Sequence, residues 1–152
     1  MKITSSYLIL LTLSCYVLAC SPLNSIEQTT PFPTGDYQYT GYDKQGGKVV
    51  EGRLSITSVE SRRIRSEVSI QIKGNWQLNR VGKQENIGPQ VGSGDLVGSI
   101  IDGDILIDLN PNIDDSNVNL RGKIDGRRFH GTWSFDGYAR AISQGTFEAT
   151  RK

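Results

Sequence analysis

The chain has 152 residues, with 22% charged and 36% hydrophobic side chains and a formal net charge of +1. This composition fits one ordinary folded domain and excludes a disordered or multi-span membrane chain. The near-zero charge supplies no field that would recruit nucleic acid or an anionic surface.

The first segment reads MKITSSYLILLTLSCYVLA, residues 1–19. Lys2 supplies a positive charge, and an apolar run from Tyr7 to Ala19 is broken only by Thr12 and Ser14. A positive start, a short apolar middle and a small residue at the end form the pattern of a secretory signal peptide. The run is shorter than the roughly 20 apolar residues that a membrane span needs. Val17-Leu18-Ala19-Cys20 resembles the lipobox of bacterial lipoproteins, with an apolar residue three before the cysteine and a small one directly before it. The resemblance implies cleavage before Cys20 and acylation of its sulfur and of the new amino terminus. Cys15 leaves with the leader under that reading, so the mature chain has neither a free thiol nor a disulfide. Each buried methylene of an acyl chain contributes about 0.8 kcal/mol, and two or more chains anchor stably. The expected location is therefore a bacterial cell envelope. Ser21, which is not the aspartate associated with inner-membrane retention, favours the outer membrane where there are two.

Residues 20–34 then form a lipidated cysteine and linker. Three of the five prolines, Pro22, Pro31 and Pro33, fall here, and no helical or alternating period is present. Such segments stay extended, and a flexible coil of this length spans on the order of 20 Å.

From Gly35 to Lys152 the apolar residues alternate with polar ones. Leu54 and Ile56 share a face, as do Val68, Ile70, Ile72, Gly74, Trp76 and Leu78. Further on come Ile105, Ile107 and Leu109; Val118, Leu120, Gly122 and Ile124; Phe129, Gly131, Trp133 and Phe135; and Gly145, Phe147 and Ala149. A period of two over so many segments predicts strands buried on one face. Asp102-Gly103 and Asp125-Gly126 predict tight hairpins, with Gln45-Gly46-Gly47 and Asp136-Gly137 as further turns. Short hairpins join sequence neighbours, so the expected fold is all-β, a single antiparallel up-and-down barrel of about eight strands. Gly131-Thr132-Trp133 with the later GTFEA resembles the small barrels of the lipocalin and avidin type. In lipocalins the Gly-x-Trp lies in the first strand, whereas here it lies near the end, and no ligand residue is carried over.

Gly41, Gly52, Gly74, Gly98, Gly122, Gly131 and Gly145 fall in phase with the apolar face. They can bend the strands of a small barrel or leave room for a ligand. Trp76 and Trp133 are expected in the core, and Tyr37, Tyr39 and Tyr42 at a rim.

Catalytic signals are absent. The one histidine, His130, falls out of phase with the apolar face, and no serine sits in a nucleophile-elbow context. A zinc site needs three or four nitrogen, sulfur or carboxylate ligands. Gly88 to Gly98 is glycine-rich but lacks the phosphate-loop lysine, and is expected as a long loop. In an EF-hand reading Asn110, Asn112 and Asp114 take ligand places, but Asp115 stands at the glycine place and Arg121 at the glutamate place, so a capped turn is the better account. Ser61 to Arg65 and Arg127-Arg128 are basic clusters near turns. No catalytic residue, cofactor, metal or nucleic-acid partner follows. The expectation is a lipid-anchored, non-catalytic envelope protein binding a small ligand or serving as a scaffold. The alternative is an interaction protein, such as a lysozyme or protease inhibitor, acting through barrel loops.

Overall fold

The computed structural model describes residues 32–64, 67–82, 87–113, 116–138 and 141–152. Within them the chain forms eight strands and no helix. These are β1 (Gly35–Tyr42), β2 (Lys48–Ile64), β3 (Glu67–Arg80), β4 (Gly92–Ile101), β5 (Asp104–Asp108), β6 (Asn117–Asp125), β7 (Arg128–Asp136) and β8 (Ala141–Arg151). Each pairs antiparallel with its sequence neighbours, and β8 returns to β1, closing the barrel. The leader, the Val17–Cys20 motif and residues 20–31 lie outside the described residues.

Local chemistry explains the connections. Ile101 pairs with Asp104, so Asp102 and Gly103 are the two central residues of a hairpin, and both have positive φ, 52° and 82°. That is the type I′ geometry favoured by Asp-Gly. The second Asp-Gly is used differently. Asp125 pairs with Arg128, so the central residues are Gly126-Arg127, and Gly126 (φ 59°) alone takes positive φ, as a type II′ turn requires. The expected loop from Gly88 to Gly98 is shorter than its composition suggests, because β4 begins at Gly92.

The barrel has two distinct ends. At the entry end lie the β2–β3, β4–β5 and β6–β7 turns and the last residues of β8. Here β2 and β3 outrun the barrel: beyond Ile56 in β2 and before Ile70 in β3 they pair only with each other, as a two-stranded ribbon. At the opposite, loop end lie the β1–β2, β3–β4, β5–β6 and β7–β8 connections.

The folded body begins before the expected boundary at residue 35. Phe32 is fully buried at the entry end, stacked on Tyr37 at 5.4 Å and edge-on to Phe129 at 5.3 Å. The Tyr37 hydroxyl donates to the Pro33 carbonyl at 2.7 Å, fixing the approach of the chain. Phe32 thus plugs one mouth of the barrel. Phe32→Ala should lower stability by about 2–3 kcal/mol, slightly under the usual loss for a core phenylalanine because the plug sits at a mouth where neighbours can relax. Urea unfolding of the full chain measures this; no change in midpoint would return Phe32 to the linker.

Candidate functional site

The lumen is the first place to look for a ligand, and side chains fill it. Tyr37, Tyr39, Phe129, Trp133 and Phe147 are each buried to 1% exposure or less. Phe129 meets Phe147 edge-on at 4.8 Å, and Phe147 stacks on Tyr39 at 5.7 Å, so one aromatic column runs inward from Phe32. Both indoles spend their N–H on backbone carbonyls: Trp76 donates to Leu109 at 2.6 Å and Trp133 to Tyr42 at 2.8 Å. Tyr37 and Tyr39 therefore belong to the interior and not to a rim, while Tyr42 is half-buried. Burial raises the ionisation of the Tyr39 phenol far above its ordinary range, so it stays a neutral hydroxyl, without a hydrogen-bond partner among the described residues.

The inward glycines mark close approaches between strands, not empty space. A Cβ on Gly52 would collide with the Gln77 carbonyl, one on Gly74 with that of Ser55, and one on Gly122 with that of His130. Gly94 instead makes room for a ring, since the Trp76 indole lies 3.0 Å from where its side chain would begin. An eight-stranded barrel has an interior just wide enough to be filled in this way.

On the outside of the barrel three features stand out. At the loop end, three of the four connections raise an exposed apolar side chain: Val91 before β4, Ile113 before β6, and Tyr138 between β7 and β8, the last 91% exposed. Ile142, at the start of β8, adds a fourth. The described parts of the β3–β4 and β5–β6 connections carry hydrogen bonds. Gln90 donates to the Ile87 carbonyl at 2.6 Å and Asn110 to the Pro89 carbonyl at 3.4 Å. Asp108 accepts from the Asn110 amide at 2.7 Å and from the Asn117 side chain at 2.9 Å, while Asp136 accepts from Asn119 and Ser134, each at 2.9 Å. The oxygen-rich segment around Asn110 is thus organised by Asx capping.

The second feature is an apolar patch on the outer face of β4 and β5. Leu106 lies opposite Ser99, which makes Val97 and Ile101 its diagonal neighbours, and all three are exposed. Asp104, beside them, faces Arg121 at 3.6 Å and Lys123 at 3.7 Å. Such exposed ion pairs contribute little to stability.

The third feature is the largest of the surface clefts described, about 540 Å³. The β1–β2 connection, Asp43–Gly46, forms one wall. The outer face of β7 and β8, with Thr132, Ser134, Gln144 and Thr146, forms the floor. Nothing in the sequence singles these residues out. Their one signal is that they alternate out of phase with Trp133 and Gly145, which any solvent-facing position also does.

His130 sits half-buried on the outer face, in register between Lys123 and Glu148, and its Nδ1 is buried with no partner among the described residues. Among the described residues, no three His, Cys, Asp or Glu side chains are grouped to hold a metal. The side chains of Arg62, Arg63 and Arg65, and residues Asp114 and Asp115, lie outside what the structure describes.

No family model, curated protein or solved structure matches this chain. What bears on its function is its own geometry among the described residues: a filled barrel, Phe32 at the entry end, and exposed apolar groups and a cleft on the outer wall and the loop end.

Proposed function

We propose that the chain is a non-catalytic binding protein of a bacterial cell envelope, held by a lipid anchor on Cys20 and engaging its partners through the outside of the barrel and its loop end. One observation carries this reading. Phe32, through which the chain enters the barrel, and the exposed Val91, Ile113 and Tyr138 lie at opposite ends. A tether leaving at the entry end turns the apolar tips away from the membrane and toward other envelope components. Exposed apolar groups clustered at one end suit protein contacts. The filled lumen supports an outer-surface binder over a carrier of an interior ligand. It also favours the alternative reading, an inhibitor or other interaction protein acting through loops, over a small-ligand barrel.

The anchor is tested by Cys20→Ala in the full precursor. The variant should move quantitatively from the membrane fraction to the soluble fraction, and the unsubstituted protein should carry acyl chains by mass spectrometry. A variant that stays with the membranes, or a wild-type protein with a bare thiol, overturns the reading.

A further inference from the structure

We infer that the cleft between the β1–β2 connection and the outer face of β7 and β8 is a binding site for a neutral saccharide. The inference rests on the outer-surface reading above and gives its ligand a chemical class. The cleft's volume, about 540 Å³, falls within the range of roughly 300–1,000 Å³ usual for small-molecule sites.

Its walls are preorganised. Asp43 accepts from the backbone amides of Gln45 and Gly47 at 2.9 and 2.7 Å, and its own amide donates to the Gly47 carbonyl at 2.8 Å. On the floor, Thr132 pairs directly with Thr146 and Ser134 with Gln144, giving a two-by-two grid of polar side chains. Trp133, locked to the Tyr42 carbonyl, supports that grid from inside.

The chemistry offered is neutral and two-sided. Among the described residues the side chains of Gln45, Thr132, Gln144 and Thr146 hold no hydrogen bond, while Ser134 gives its proton to Asp136 and keeps its oxygen as an acceptor. Hydroxyls and amides both donate and accept, which is the capacity needed to match sugar hydroxyls. One carboxylate oxygen of Asp43 is engaged by its own turn, and Asp43 and Lys44 together bring no net charge to the lining, so it has no excess charge with which to select an ion. A peptide strand has nothing to pair with, because β7 and β8 are each bonded on both sides and offer no free edge.

The test is an amide-resolved NMR titration of the full-length protein with cellotetraose, chitotetraose and maltotetraose. At least one should give saturable shifts confined to residues 43–47, 132–134 and 144–146, with Kd on the order of 0.1–1 mM, the range of a few polar contacts in an open site. The Gln144→Leu, Thr146→Val double variant should weaken that binding at least tenfold, with its other amide shifts unchanged. Raising the salt from about 20 to about 500 mM should leave it within about twofold, because neutral recognition is not screened. Any of four results overturns the inference: no response to all three sugars at about 10 mM, shifts elsewhere on the barrel, undiminished binding by the double variant, or a tenfold loss at the higher salt. A silent cleft combined with loss of membrane retention in Cys20→Ala sinks the saccharide site alone. Retention of that variant sinks the anchored reading and leaves a positive titration standing.

Discussion

Trp133→Ala should lower the free energy of unfolding by about 3–5 kcal/mol, the range for removing a large core aromatic. Three features put the loss in the upper part of that range. The indole is fully buried. Its N–H holds the Tyr42 carbonyl in a part-buried hydrogen bond, whose loss adds about 0.5–1.5 kcal/mol. Its cross-strand partner on β8 is Gly145, which has no side chain to swing into the void, so only Leu120 on β6 flanks it across the ladder. Reversible urea unfolding followed by tyrosine and remaining tryptophan fluorescence measures the change, and the m-value should hold if the denatured state is unaltered. A loss below about 1 kcal/mol, the level of an ordinary surface substitution, would mean that Trp133 faces solvent and that the inward face of β7 is inverted. The same reversal would turn Thr132 and Ser134 inward and dismantle the cleft floor, so this measurement bears on the site as well as on the fold.

How far the molecule can be read from its sequence depends on where each signal resides. The strands are legible wherever both faces carry characteristic side chains, as in Ile105, Ile107 and Leu109 against Asp104 and Asp108. The first half of β4 is hidden because two of its inward positions, Gly94 and Gly98, carry no side chain. The apolar group that occupies the space at Gly94 is Trp76, on the neighbouring strand. The shifted turn at Gly126-Arg127 has a similar origin. An Asp-Gly pair can supply either both central residues or only the first of them with its flank, and the pairing of Ile124 with Phe129 selects the second arrangement. Phe32 reads as linker because prolines surround it; only Tyr37 and Phe129, the latter distant in sequence, make it a plug. Tyr37 and Tyr39 are amphipathic, so their placement depends on whether the lumen has room, which no local pattern reveals. The cleft is least legible of all. It joins a turn near residue 45 to strands near residues 133 and 145, through polar residues that individually look like any wet face. The position of the chain's entry relative to the exposed apolar tips is likewise a property of closure, visible only once β8 meets β1.

Gly131→Ala should destabilise the barrel by about 3 kcal/mol, the top of the usual range for overpacking. The sign matters more than the size. Where a glycine's backbone is compatible with a side chain and space is open, alanine normally stabilises by about 0.4–1 kcal/mol, because it restricts the unfolded chain. Gly131 lacks positive φ, so the backbone raises no objection. The obstacle is steric: a Cβ there would collide with the Arg121 carbonyl, and Gly131 lies directly opposite Gly122, whose own Cβ would meet the His130 carbonyl. A far-end side-chain atom could turn aside, but a carbonyl in a β-ladder can move only by separating β6 from β7. A loss of the expected size thus assigns the inward glycines to strand crossing. A gain would mean that they line open space and would restore an interior ligand. The double variant Gly122→Ala, Gly131→Ala sharpens the test. Both side chains demand the same widening of one strand pair, so once the first has forced it the second finds room. The two losses should sum to clearly less than additive, by more than the 0.3–0.5 kcal/mol within which independent sites agree. Strict additivity would instead locate two separate clashes and remove the shared crossing from the account of how this barrel closes.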